Sequence, residues 1–437
     1  MIQLARLSLD RTPPLWVPLQ FMATAPLFAV AFAALLALEG PDALLSRWTP
    51  AMLAATHLLV LGYITMVMFG AMQQLLPVVA GSSVPRERLT SRLIHLGLAL
   101  GTPLLAAGLA WSAPLPLATG GLVVWGAMIL FLVTASISLW RSPARGPTHT
   151  ALWLAVAALA VTILLGAWLA LGHLPGWPLP RSMTQLHLAW GLAGWIAVLI
   201  AGVAYQVVPM FQMTPEYPAR FARFHAPGVF ALLVLLTAGG LVPGAPGTFL
   251  QALAAAGLVA ALSGFALVTL RLQARRRRRN ADVSVIFWRT GLLALPVALG
   301  LWALSILPFP PEIRGPMALI PAWLFLGGFT LSIINGMLYK IVPFLVWLHL
   351  NNRRMQSGQW DAPVPNMHQV IPIRHTRLQW WLHLIALAAG TAALLWPPLL
   401  YPALLAFALS NGLLSANLWQ GIGVFRRDGV RQDSRGG

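Results

Sequence analysis

One stretch of sequence occurs three times and decides the fold: LGYITMVMFGAMQQLLPVV at 61–79, AGWIAVLIAGVAYQVVPMF at 193–211 and GGFTLSIINGMLYKIVPFL at 327–345. Each copy has a glycine followed by an aromatic residue, a second glycine eight positions later, and a proline seven positions beyond that. The copies align without a gap, so they predict three equivalent helices. We call this pattern the glycine-proline frame.

The frame has a physical meaning in a membrane. Glycine lets neighbouring helices approach closely in lipid, where helix association depends on packing. Seven residues make almost two helical turns, so the second glycine and the proline of each copy point the same way. The nine positions that we predict to pack helices are Gly62, Gly70, Pro77, Gly194, Gly202, Pro209, Gly328, Gly336 and Pro343.

The composition of the 437-residue chain agrees with a membrane environment. It is 58% hydrophobic and only 9% charged, whereas a soluble protein carries roughly 25% charged residues. Soluble enzymes, disordered tails and secreted modules are therefore excluded. The absence of cysteine also excludes disulfide scaffolds, cysteine-ligated zinc, iron-sulfur clusters and thiol catalysis.

Apolar segments of about 20 residues, the length that crosses a bilayer, predict an all-α polytopic membrane protein with twelve transmembrane helices in a single membrane domain. The frame divides the domain into three quasi-equivalent four-helix units, at approximately 16–140, 150–270 and 290–421. The predicted spans are 16–38, 51–79, 93–111, 117–140, 150–172, 183–210, 226–242, 248–270, 290–307, 317–348, 378–396 and 401–421.

The positive charges predict the orientation. Of the 28 Lys and Arg residues, only Arg47, Arg181 and Arg314 fall between spans on the outer side, 134 and 133 residues apart, and each precedes a frame helix. Since positive residues favour the cytoplasmic side, both termini are predicted to lie in the cytoplasm of a bacterial-type cell, with the protein in the inner membrane. The arginine run at 275–279 lies between two spans, so we interpret it as a topology determinant that contacts lipid, not as a nucleic-acid site.

Polar residues precede each frame proline, near the predicted inner face. They have two interpretations. They could satisfy the backbone carbonyl that a proline leaves free, or they could line the inner mouth of a central cavity. The candidates for the cavity lining are Gln74, Tyr205, Gln206, Tyr339 and Lys340.

Two segments carry a resemblance to a known family. THLLVLGYITMVMFGAMQQLLP at 56–77 is similar to helix 2 of nitric-oxide-reductase-like proteins, and QLHLAWGLAGWIAVLIAGVAYQVVP at 185–209 resembles helix 6 of oxidase-like membrane proteins. Together with three four-helix units, they resemble the haem-copper oxidase subunit I superfamily, including twelve-span haem- and copper-containing proteins of the nitric-oxide response. The resemblance implies that His57 and His187 are ligands of haem b or copper, and that the partners are membrane proteins of respiration or nitric-oxide metabolism.

The chain departs from that family at the catalytic centre. The third frame helix, from Arg314 to Pro343, contains no histidine, although an oxidase needs a His-x-His pair there. No acidic residue lies within a predicted span, and proton-coupled chemistry usually relies on buried ionisable groups. The sequence therefore predicts a binding, sensing or accessory protein and not a complete terminal oxidase.

His57 and His187 also have a simpler interpretation, because a buried histidine often only bonds across to another helix. Four further histidines, His95, His149, His225 and His383, are predicted at the inner interface as anchors. Two other functions stay open: a permease for a small solute or metal ion, which the polar residues before the prolines and the repeats would suit, and a ligand-free assembly scaffold. The polar segment 349–377 is predicted to be a cytoplasmic loop that docks a partner or closes the inner face.

Overall fold

The computed structural model describes residues 12–172, 177–178, 180–277, 282–305, 307, 309–358 and 363–433. Outside these residues lie Arg6 and Arg11, which precede the first predicted span, positions 278–279 of the arginine run, and 359–362 of the predicted loop. The described chain is helical and contains no strand. Its long helices, numbered in chain order, are α1 (Trp16–Glu39), α2 (Pro50–Val79), α3 (Glu87–Ala110), α4 (Pro114–Arg141), α5 (Pro147–Leu171), α6 (Arg181–Gln212), α7 (Ala219–Leu241), α8 (Gly244–Ala274), α9 (Val283–Leu304), α10 (Arg314–Gln356), α11 (Ile373–Ala393) and α12 (Leu400–Asp433).

Eleven of these helices are long and apolar enough to cross a membrane. The exception is α11, a helix of 21 residues whose first turn and a half contains Arg374, His375 and Arg377. The protein is therefore a multi-pass helical membrane protein that contacts lipid. The twelfth crossing, through α11, stays a prediction.

The three frame helices, α2, α6 and α10, occupy the centre of the molecule. Between 67% and 72% of the residues in their most apolar windows are buried, against 56% or less in every other candidate span. The other nine long helices surround them, packed in the order α1, α3, α4, α5, α7, α8, α9, α11, α12. The ring closes where α12 meets α1, with the Phe32 and Phe407 rings 5.3 Å apart. Each central helix packs against the three other helices of its own unit.

All six frame glycines lie against the first helix of their own unit. A Cβ atom added to Gly202 would stand 2.5 Å from the Cβ of Ala151, and one added to Gly194 would stand 2.7 Å from the Cβ of Ala158. The same pairing occurs in the other two units, with the two partners always seven residues apart. These pairs are Gly62 with Phe28, Gly70 with Phe21, Gly328 with Ala294, and Gly336 with Phe287.

Each central helix contains an eight-residue π-helical segment at the same position of the repeat: Leu58–Thr65, Trp190–Ala197 and Leu324–Leu331. In an ideal α-helix, positions eight apart differ by about 80° around the axis. A π-helix has a wider turn, closed by bonds from residue i to residue i+5. The wider turn reduces this angle between the two frame glycines of a helix. Both glycines can therefore face the same neighbouring helix.

The connection between α10 and α11 is shorter than the loop predicted at 349–377. Helix α10 continues to Gln356, and Leu350 within this extension is fully buried. A short helix, Met367–Val370, then begins with a capping box in which Asn366 and Gln369 bond to each other's backbone. Val370 is fully buried and lies beside Gly421 of α12. The prediction missed the helical extension because its residues are polar, whereas burial of single apolar side chains holds it in place.

Candidate functional site

His57 and His187 lie in corresponding parts of two central helices. His57 is the last residue before the π-helical segment of α2, and His187 lies three residues before the segment of α6. Each is six or seven residues from the start of its helix, which corresponds to roughly 10 Å along the helix axis. Both side chains are partly buried.

The hydrogen bonds of these two histidines indicate which nitrogen of each ring carries the proton. The Nδ1 atom of His57 lies 2.7 Å from the carbonyl oxygen of Leu53, and the Nδ1 atom of His187 lies 3.0 Å from the carbonyl oxygen of Thr162 on α5. A carbonyl can only accept, so Nδ1 donates in both rings. In a neutral imidazole this leaves Nε2 with a free lone pair. Such a bond at the second nitrogen is usual for metal-ligating histidines.

The two imidazoles are near enough that a positive charge on His57 would disfavour a positive charge on His187. Further in, the same two helices are joined by an aromatic cluster in which the Phe69 and Trp195 ring centres are 5.8 Å apart and Phe69 stacks on Phe131. At the ends where these helices begin, Arg47 precedes α2 and Arg181 is the first residue of α6, and the two charges repel each other. Burial lowers the pKa of Arg47, and the positive charge of Arg181 lowers it further.

The candidate site offers two imidazole nitrogens as possible ligands. Within the described ranges, no cluster of three or more His, Cys, Asp and Glu side chains could hold a metal ion. The His187 ring packs closely on Gly166 of α5, where an added Cβ would stand 3.1 Å from its Cε1 atom. This contact holds the ring in its orientation.

Lys340 forms an ion pair instead of standing alone in the membrane. Its Nζ atom lies 2.8 Å from the Oδ2 atom of Asp282, and both side chains are about one-fifth exposed. The other carboxylate oxygen of Asp282 accepts a bond from the Val285 amide and caps the start of α9. Asp282 was missed as a partner of Lys340, although an aspartate directly before an apolar helix is a recognisable cap.

The residues that were predicted to line one cavity do not share a partner in the structure. Tyr205 donates towards His225 on α7, and Tyr339 accepts from Asn417 on α12. Lys340 contacts Asp282, which caps α9. Three of the five candidates therefore bond to three different parts of the surrounding ring of helices. Gln74 has a buried side-chain oxygen without a partner in the described part of the chain, and Gln206 is partly buried.

Two of the histidines predicted as interfacial anchors are instead buried between helices. His383 is 1% exposed, and its Nε2 atom lies 2.8 Å from the Ser332 hydroxyl on α10. His225 is 8% exposed and bonds to Tyr205. Periodicity alone did not show these contacts, because the partners belong to helices that are distant in sequence.

A buried hydrogen bond links the first and third four-helix units. The Tyr63 hydroxyl of α2 donates to the Asn335 side chain of α10. Both residues are fully buried. The bond crosses the centre of the bundle and fixes α2 against α10.

Comparisons of the sequence with models of known protein families and with curated proteins find no match. The fold and the candidate site define the class of protein. It is a multi-pass helical membrane protein with three central helices, two of which carry one histidine each, His57 and His187.

Proposed function

We propose that the protein binds haem b or copper through His57 and His187, and that it is related to subunit I of the haem-copper oxidases. The proposed role is that of a binding, sensing or accessory component in respiratory or nitric-oxide-linked metabolism. The observation that carries the proposal is one imidazole on each of two packed central helices, each with Nδ1 bonded to a backbone carbonyl so that Nε2 is left as the possible ligand atom.

The donor set suits these groups better than it suits other metals. Imidazole nitrogen binds haem iron and copper well. With two protein ligands, the site matches a centre that brings further ligands with it, as haem does with its porphyrin nitrogens, or an ion that accepts a low coordination number. Structural zinc, which needs four protein ligands, fits poorly.

When bound, haem or copper would supply one-electron redox chemistry or the capacity to bind a small gas. The residues of the chain have the tasks of binding and orientation. The carbonyl groups of Leu53 and Thr162 hold the imidazoles in the tautomer that presents Nε2. Gly166 leaves room for the His187 ring.

The proposal includes a location. The arginine distribution favours the bacterial inner membrane with both termini in the cytoplasm, which would place His57 and His187 in the outer half of the bilayer. Partners in this setting would be membrane proteins of respiration or nitric-oxide metabolism. The arrangement of three central helices within a ring of nine supports the relationship to oxidase subunit I.

The test is an optical spectrum and a metal analysis of the protein purified from membranes. The reduced-minus-oxidised spectrum should show a haem band, or the analysis should show copper near one equivalent. His57→Ala and His187→Ala should each lower the content of the bound group or change its spectrum, because each variant removes one of the two nitrogen ligands.

His149→Ala is the matched control. His149 also bonds to a backbone carbonyl, that of Leu139, and is partly buried, but it lies at the opposite end of the bundle. Its replacement should leave the spectrum and the metal content unchanged. Protein that contains neither haem nor copper would refute the proposal.

A further inference from the structure

A shallow groove runs along the outside of the bundle between α7 and α8. Its volume is about 320 Å³, and it is lined by Phe221, Phe224, His225 and Gly228 of α7 and by Ala261 and Gly264 of α8, among others. A Cβ atom added to Gly228 or Gly264 would meet nothing within 4 Å. Phe224 is 61% exposed. The groove is therefore open to the lipid.

The groove differs from an ordinary gap between helices because a polar side chain lines it. The ring of His225 lies between aromatic neighbours, with the Phe221 ring centre at 4.9 Å and that of Phe265 at 5.8 Å. Behind it, Tyr205 bonds to its Nδ1 atom at 3.0 Å. A buried hydrogen-bonded histidine thus faces an apolar slot.

The bonds of His225 assign its tautomer. Its Nε2 atom lies 3.1 Å from the carbonyl oxygen of Ala261, which can only accept, so Nε2 carries the proton. In a neutral ring, Nδ1 then accepts from the Tyr205 hydroxyl. The wall of the groove consequently holds an N–H donor that Tyr205 keeps in place.

This donor can be transferred to a ligand at low cost. Ala261 lies within α8, where its carbonyl also accepts the backbone bond from four residues further on. Loss of the His225 bond therefore leaves the carbonyl paired. A ligand with an acceptor oxygen in the groove could take the Nε2 proton bond without leaving a buried polar group unsatisfied.

We infer that the groove binds a membrane quinone, with a ring carbonyl accepting from His225 Nε2 and the ring lying among the apolar side chains that line the groove. A quinone reaches the site from the bilayer, and its apolar ring and carbonyl match the apolar lining and the His225 N–H donor. A phospholipid has ester carbonyls that could accept from His225, but it has no ring to fill the groove beside the histidine. His225 is about 9 Å from the start of α7, a depth that leaves the isoprenoid tail in the membrane interior. The inference concerns binding and does not depend on His57 or His187.

The test is photolabelling of the full-length protein in nanodiscs of phosphatidylcholine. An azidoquinone with a short isoprenoid tail should label peptides from 219–241 or 244–274, and excess short-chain ubiquinone should suppress the labelling. His225→Phe retains an aromatic ring but removes the donor. We expect it to weaken the apparent affinity roughly tenfold, the effect of one neutral hydrogen bond.

Gly264→Leu should abolish the labelling because leucine fills the groove. The matched control is Gly126→Leu on α4, since Gly126 is also an exposed helical glycine with nothing within 4 Å of an added Cβ. It should label like the unaltered protein. Size-exclusion profiles verify that each variant is folded, and His225→Phe provides a second test if the leucine variant is not.

Three outcomes would overturn the inference. The first is labelling that ubiquinone does not suppress, and the second is equal labelling of His225→Phe and the unaltered protein. The third concerns phospholipid binding, measured by native mass spectrometry. The inference fails if the unaltered protein retains a phospholipid that Gly264→Leu does not bind, and if the quinone does not displace that phospholipid.

Discussion

At the scale of the residue, the clearest feature is the ion pair between Lys340 and Asp282. A lysine in the membrane is costly unless it is paired or reaches the interface. Asp282 solves this problem and also caps α9, so one side chain connects the third central helix to the start of its neighbour.

Loss of this pair should destabilise the protein. Asp282→Ser keeps an oxygen that can cap the helix but removes the negative charge, so it isolates the contribution of the ion pair. Because Lys340 would be left partly buried without a partner, we expect the free energy of unfolding to fall by about 1–3 kcal/mol. Thermal unfolding in detergent micelles would measure the change.

The control is the double variant Asp282→Ser with Lys340→Met, in which no unpaired charge remains. It should recover most of the lost stability. A single Asp282→Ser variant that is as stable as the unaltered protein would show that Lys340 reaches water without its partner.

At the scale of the element, the central helices depend on close approach at the frame glycines. The tightest of the alanine contacts is that between Gly202 and Ala151, where an added Cβ would stand 2.5 Å from the existing one. Two Cβ atoms cannot occupy that distance, so the helices would have to separate.

Gly202→Ala should therefore destabilise the protein by about 1–3 kcal/mol, the usual cost of overpacking. The comparison is Gly126→Ala, where the added methyl group meets nothing within 4 Å, and where helix propensity predicts a gain of up to about 1 kcal/mol. Thermal unfolding of both variants would measure the difference.

The compensating variant makes the interpretation specific. Ala151→Gly combined with Gly202→Ala moves the methyl group from one helix to the other and should restore most of the stability. If the double variant is no more stable than Gly202→Ala alone, the contact between α5 and α6 does not control the cost.

At the scale of the whole molecule, the number of crossings depends on α11. The threefold arrangement predicts that this helix spans the membrane like its counterparts α3 and α7. Its own composition is too polar for that conclusion. The chain lacks cysteine, so single cysteines can report the side on which each connection lies.

Cysteine labelling with an impermeant maleimide on intact inverted and right-side-out vesicles would decide the topology. If α11 crosses, Trp396→Cys should be labelled from the same side as Ser112→Cys, the loop between α3 and α4. Ser357→Cys, between α10 and α11, should be labelled from the opposite side. Labelling of Trp396→Cys and Ser357→Cys from one side would mean eleven crossings or fewer.

The candidate site could be predicted only in part. His57 and His187 were selected from local motifs, and the structure places them near the starts of two central helices that pack together. The orientation of their rings depends on backbone carbonyls, and for His187 the carbonyl belongs to Thr162 on another helix. The burial of His225 and His383 likewise depends on Tyr205 and Ser332, which hydropathy does not connect to them.

The sequence by itself determined the membrane class, the approximate position of most helices and the threefold repeat. These features follow from local hydropathy and from residues at fixed spacings along one helix. Only the tertiary structure decided which side chains meet: the Lys340 and Asp282 pair, the Tyr63 and Asn335 bond, and the groove at His225. It also decided the π-helical segments around the frame glycines. The physical reason is that these features depend on contacts between helices, and in a bundle such contacts join residues that are far apart in the chain.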